Sequence, residues 1–171
     1  MSGYCVCIRP AQPQDAGEIE ELLLSAFPTE EEARCHATAR RSGHVVSEFV
    51  ATNIQGAIVG MVALGPVWHE RVGPEAAALG IVPLAIDPSW QSQGVGTALV
   101  WSALNYARTE TDLVVVLGEP GYYARFGFQP ACHWQWENQY QAGDAFQAIW
   151  RGGEEVTVPP GLLVYAPAWR V

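Results

Sequence analysis

The run Gln91-Ser92-Gln93-Gly94-Val95-Gly96-Thr97 lies where an apolar segment passes through a proline-broken loop into a helical pattern. Two glycines at the mouth of a helix let backbone N–H groups approach an oxyanion with no Cβ in the way. The helix N-terminus adds its partial positive charge. These residues read as an anion site, with Thr97 adding a hydroxyl or capping the helix, and phosphate is the anion that suits them. A P-loop is excluded, because its lysine has no counterpart in a chain whose nine basic residues are all arginine. A dinucleotide fingerprint fits poorly. Its third glycine position is Leu99, residues 87–93 separate the strand from Gly94, and too few residues follow Glu119 for the second half of a doubly wound fold.

Other chemistry-bearing residues are scattered. Cys5, Cys7, Cys35 and Cys132 show no zinc-like spacing with histidine, so no metal is expected. They read as reduced, buried structural thiols. Cys132 precedes His133, but neighbours in a strand face opposite ways, which leaves no activated nucleophile. His69, Glu70 and His133 are isolated candidates for moving a proton.

Composition narrows the classes further. A formal charge of −9 opposes nucleic-acid binding and favours a cationic over an acidic substrate. The absence of lysine removes Schiff-base chemistry. No apolar run is long enough to span a membrane, and the opening "MSGYCVCIRP" lacks the form of a signal peptide, so a cytoplasmic location is expected. The 171 residues read as one domain, 1–171.

The elements that must position these groups follow from periodicity. "YCVCIR" at 4–9 reads as a strand. "PQDAGEIEELLLSAF" reads as a helix burying Ile19, Leu22, Leu23, Ala26 and Phe27, with a capping box at Asp15 and Glu18. A second helix is expected from Thr29 to near Gly43, its first-turn glutamates favoured by the dipole. Residues 44–52 and 57–67 read as a hairpin, and 68–78 as a loop. "LGIVPLAID", a helix over 94–108 and "DLVVVLG" form a strand–helix–strand unit, whose two strands must be parallel neighbours. "PGYYARF" reads as a short helix. "GFQPA", "DAFQAIW" and "GLLVYA" read as strands. The expected class is α/β, with a mixed central sheet flanked by helices.

The hexapeptide 91–96 resembles the Gln/Arg-x-x-Gly-x-Gly/Ala signature of the GNAT N-acetyltransferases. Residues 8–27 are similar to that family's opening segment, and "VPLAIDPSWQSQGVGTALV" to its strand, bulge, loop and helix. "LGEPGYYARFGFQPA" and "AGDAFQAI" are similar to runs of its YhbS-like branch. The resemblance implies a GNAT fold with splayed parallel strands, acetyl-CoA as co-substrate, and an acetyl group passed directly to a primary amine in a ternary complex. It implies cofactor contacts from Leu84, Ala85, Ile86, Gln91, Gln93, Gly94, Val95, Gly96 and Thr97. The backbone N–H groups of the strand ending Leu84-Ala85-Ile86 would serve the oxyanion, and Pro83, which cannot donate to a ladder, suits the bulge.

Tyr123 holds the tyrosine position of the family motif and is the implied general acid. A phenol, with pKa about 10, can return a proton to a departing sulfur. Tyr122 reads as packing. Glu119 either accepts a proton or caps the following helix. The acceptor would be a small-molecule amine or a peptide N-terminus. Trp68, Trp134 and Trp136 would form its apolar wall, although homodimer contacts account for them equally well. A GNAT-like module that binds acyl-CoA without catalysis is the alternative.

Overall fold

The structure, a computed structural model, describes residues 5–169, the side chains of 75–77 excepted. Tyr4, at the start of the expected first strand, lies outside them. A mixed sheet of nine strands among these residues runs in the order β1-β2-β3-β4-β5-β8-β6, with β9 joining β3 and β7 joining β9. The central strands are β2 (Ser47–Thr52), β3 (Ile58–His69), β4 (Gly73–Ile86) and β5 (Leu113–Leu117). The first strand, β1, is Cys7–Pro10. Beyond β5 lie β6 (Gln129–Pro130), β7 (Trp136–Asn138), β8 (Phe146–Trp150) and β9 (Gly161–Tyr165).

Helices cover both faces. On one side α1 (Ala16–Ala26) and α2 (Glu31–Arg41) pack over Met61, Ala63 and Val115. On the other, α3 (Val95–Glu110) and the single turn α4 (Pro120–Tyr123) cover Leu64, Val114 and Val116. The alternation of Leu113 and Val115 with Val114 and Val116 between the two cores is the period of a strand buried on both faces. In α1, Ile19, Leu22 and Leu23 form the buried stripe expected from their spacing.

The expected β–α–β crossover is present. β4 and β5 pair in parallel through Leu79↔Val114, Gly80↔Val115 and Ile81↔Val116, and the pairing stops there. Against β3, the register passes from Leu64↔Ile81 to Val62↔Leu84, so β4 carries an extra residue at Val82-Pro83. The bulge reverses the facing of the residues beyond it: Ile81 belongs to the α3 core, whereas Ala85 belongs to the α1–α2 core. An uninterrupted strand would put both on one face. Past the bulge β4 stays on β3 and leaves β5, and the two parallel strands splay.

Several expectations are corrected. Residues 68–78 are not a loop, because β3 runs on to His69 and β4 starts at Gly73, leaving a tight turn between them. The Gly73-Pro74 pair reads as a breaker, but proline is tolerated at the start of a strand. Asp15 and Glu18 form no capping box. Asp15 accepts from the Gln12 N–H and from the Arg9 guanidinium, at 2.7 and 2.9 Å. Glu18 accepts from the Ile58 N–H at 3.2 Å. Cys132 and His133 lie in a 3-10 turn, not a strand. Cys5, Cys7 and Cys132 are exposed rather than buried, Cys7 because β1 is the sheet edge.

Candidate active site

Two clefts flank the splay. The first, about 500 Å³, has Leu84, Ala85 and Ile86 along one wall and Gln91, Gly94, Gly96 and Thr97 along its rim. The register supplies β5 partners only as far as Ile81, so the edge of Leu84–Ile86 facing away from β3 has no ladder to β5. The Gln91 side chain ties the rim to this wall by donating to the Ile86 carbonyl at 3.3 Å.

Gly94 is the residue before α3, with φ +85° and open space where a Cβ would stand. That left-handed conformation costs other residues about 1–2 kcal/mol. No side chain caps this helix end, and the bond closing the first turn runs from the Ala98 N–H to the Gly94 carbonyl, at 3.0 Å. The N–H groups of Val95, Gly96 and Thr97 therefore have no acceptor inside the helix. Not all side chains of the loop face the cleft. Val95 is buried in the core, and Gln93 donates to the Ser89 carbonyl at 2.8 Å. Only their backbone can serve an anion.

Tyr122 and Tyr123 diverge. Their rings meet edge to face at 5.0 Å, and each lines a different cleft. Tyr122 lines the first, its hydroxyl within 2.8 Å of where a Gly96 Cβ would lie. Burial raises its pKa, and a hydrogen bond with Thr97 opposes the shift. Arg125 also lines this cleft. Its guanidinium lies 4.7 Å over the Tyr122 ring, and its Nε donates to the Tyr122 carbonyl at 2.9 Å. Arg125 was missed at the sequence level, although it stands inside "YYARFGF". The family run that these residues resemble has an arginine there too, but its place beside the first cleft emerges only from the direction of the ring beneath it.

The second cleft, about 360 Å³, is lined by Pro83, Leu84, Leu117 and Tyr123 from the splay, and by Glu32, Tyr140, Tyr165 and Trp169 from elsewhere. Leu84 and Phe27 line both clefts, so the two meet at the bulge. Tyr123 is buried there against Phe128, and the absent side chain of Gly118 makes room for its ring. Burial holds its phenol far above the ordinary tyrosine value, and Tyr122 adds to the shift. Such a phenol stays protonated at neutral pH.

The remaining candidates lie elsewhere. Glu119 is exposed, lines neither cleft and makes no side-chain cap; only its carbonyl accepts from Tyr122 and Tyr123. His69 is buried with both ring nitrogens engaged, Nε2 with the Pro160 carbonyl and Nδ1 with the Arg71 N–H, each at 3.2 Å. Glu70 and His133 are exposed and line neither cleft. Trp68, Trp134 and Trp136 line neither of these two clefts. Trp136 is a core residue donating to the Pro159 carbonyl at 3.1 Å, and Trp134 stacks on it at 5.2 Å. No group of His, Cys, Asp and Glu among the described residues could hold a metal ion, and no helix among them is long and apolar enough to cross a membrane.

Residues 13–128 match the profile of the acetyltransferase (GNAT) family. The uncharacterized N-acetyltransferase YhbS of Escherichia coli (strain K12) is 35% identical over 127 residues, 74% of this chain and 75% of that protein. The crystal structure of YhbS from Escherichia coli in complex with CoA superposes with a TM-score of 0.89 at 30% identity, covering 98% of this chain and 93% of the other. A GNAT family acetyltransferase from Brucella melitensis, in complex with acetyl-CoA, gives 0.78 at 26% identity over 98% and 99%.

Proposed function

The chain belongs to the GNAT family of acetyltransferases, and on that footing we propose that it uses acetyl-CoA to acetylate a primary amine by direct attack in a ternary complex. The observation that carries this reading is the splay at Val82-Pro83. It joins an uncapped helix N-terminus on one side to an aromatic cleft containing Tyr123 on the other, with Leu84 shared between them.

The first cleft fits acetyl-CoA by its donor set. The unpartnered N–H groups at the start of α3 suit a pyrophosphate, and Arg125 is the cleft's one charged lining residue among those described. When bound, the thioester supplies an activated acetyl group. The protein's part is to hold the phosphates at residues 94–97, to offer the β4 edge at Leu84–Ile86 to the acyl oxygen, and to keep a proton on the Tyr123 hydroxyl for the departing sulfur. Glu119 lines neither cleft, so in this scheme the amine attacks as its free base, its ammonium proton having gone to solvent, and the proton shed from the nitrogen after attack restores the Tyr123 phenol.

Calorimetric titration with acetyl-CoA, followed by a thiol-release assay over a panel of amines, tests the proposal. Tyr123→Phe is expected to lower kcat about a hundredfold while leaving acetyl-CoA affinity unchanged. Normal turnover by that variant would remove Tyr123 as the acid. Tight acetyl-CoA binding with no turnover of any amine would favour the non-catalytic module.

A further inference from the structure

Among the described residues lining the second cleft, Glu32 is the only one with a charged side chain. It is half-buried on α2, and its one hydrogen bond among the described residues is from the Thr29 hydroxyl at 3.3 Å. Around it stand the rings of Phe27, Tyr123, Tyr140, Tyr165 and Trp169.

This ring wall is held in place by hydrogen bonds and by core packing. The Tyr140 hydroxyl donates to the Trp169 carbonyl at 3.2 Å, and the Trp169 indole donates to the His44 carbonyl at 3.0 Å. Tyr165 packs where a Cβ on Gly80 would come within 2.6 Å of its ring. The neighbouring basic side chains do not line the cleft. Arg40 pairs with Glu48 at 2.8 Å, His36 is bonded to the same carboxylate, and Arg125 lines the other cleft.

An aromatic wall with one carboxylate and no cation attracts an alkylammonium group, through the ring faces and the charge together. It repels a carboxylate, which would find no donor with a positive charge. We infer that this cleft selects small primary amines that carry no carboxylate near the nitrogen, and that Glu32 is the residue that receives their ammonium group. The inference rests on the second cleft being the acceptor side of the proposed acetyltransferase. It goes further by naming the substrate class, and it assigns the charge to α2 rather than to the β5 end where Glu119 lies.

The test separates binding from turnover. Tetramethylammonium cannot be acetylated, so its binding to the full chain, titrated at constant ionic strength with and without acetyl-CoA, reads the cation site alone. Glu32→Gln should weaken that binding tenfold or more, as loss of a charged partner does, with acetyl-CoA affinity unchanged. Glu32→Asp, which keeps the charge, should retain measurable affinity and guards against a trivial folding loss, checked by circular dichroism.

In the thiol-release assay, Glu32→Gln should raise KM at least tenfold for amines without a carboxylate. It should narrow the preference over amino acids. Equal tetramethylammonium binding by wild type and Glu32→Gln, or equal use of amino acids and simple amines by wild type, would overturn the inference while leaving acetyl transfer intact. Cation binding that depends on Glu32 with no amine acetylated would uphold the site and refute the transferase reading instead.

Discussion

Replacing Gly118 by alanine would put a methyl group into the space that the Tyr123 ring occupies. A Cβ built there lies 2.4 Å from Cε2, 3.0 Å from Cδ2 and 3.4 Å from Cζ of that ring. Carbon atoms in contact settle near about 3.5–4.0 Å, so the ring edge must retreat by about 1 Å. Gly118 needs no left-handed φ, so the backbone itself tolerates alanine. Its N–H still donates to the Ala145 carbonyl, and its own carbonyl still accepts from Gln147.

The substitution therefore moves the proposed acid without altering its chemistry. A displacement of this size can cost on the order of a hundredfold in rate, while overpacking lowers stability by about 1–3 kcal/mol. The assay is kcat by thiol release at saturating amine, with acetyl-CoA affinity from calorimetry and the melting temperature as controls. We expect kcat to fall about ten- to a hundredfold with affinity little changed. In the Gly118→Ala background, Tyr123→Phe should then cost little more, because the hydroxyl is already misplaced; such non-additivity marks two changes acting on one contact. A folded Gly118→Ala protein with wild-type kcat, or full additivity with Tyr123→Phe, would refute the reasoning.

Gly94→Val with Gly96→Val should abolish acetyl-CoA binding by calorimetry in a folded protein, since position 94 has φ +85° and a Cβ at 96 would lie 2.8 Å from the Tyr122 hydroxyl. Tyr122→Phe removes the hydrogen bond with Thr97 and should raise the acetyl-CoA Kd several-fold, with kcat near wild type in the same thiol-release assay. Glu119→Gln should leave the pH–rate curve unchanged and, by urea titration, shift stability by less than about 0.5 kcal/mol, because its side chain caps nothing and lines neither cleft. Arg9→Met tests the charge pair that anchors the start of α1. The Arg9 guanidinium holds the Asp15 carboxyl down from 3.8 to about 2, against the opposing effect of burial. A depressed folded-state value adds stability that is present above 3.8 and lost as pH falls toward 2. The full shift corresponds to roughly 2 kcal/mol, and solvent around the partly exposed guanidinium reduces that to about 1 kcal/mol. Urea titrations should show this gap between wild type and variant near neutral pH and its disappearance in strong acid. A gap independent of pH would assign the effect to packing.

The glycine-led, uncapped start of α3, the helix behind it and the parallel strands on either side were legible in the sequence because each depends on neighbours along the chain. A glycine before a helix, N–H groups without intrahelical acceptors and a crossover that must be right-handed are local or nearly local rules. Pro83 marked the bulge for the same reason, as a residue that cannot donate to a ladder. Which of two adjacent tyrosines faces which cleft was not legible from geometry. Consecutive helical residues point about 100° apart, and only the packing of α4 on Gly118 and the α3 end decides the directions.

The same limit explains why Glu119, His69 and the tryptophans, each chosen for its type or its nearness to a motif, line neither cleft. Glu32 read as a first-turn acid favoured by the helix dipole, and nothing local distinguishes it from Glu30 and Glu31. Its approach to Tyr140, Tyr165 and Trp169 joins α2, a turn after β7, β9 and the last 3-10 turn. Those residues lie more than a hundred positions from Glu32 in the chain. Local hydrogen bonding and sterics write themselves into short stretches of sequence, whereas a cleft closed by distant segments exists only once the sheet has set their register.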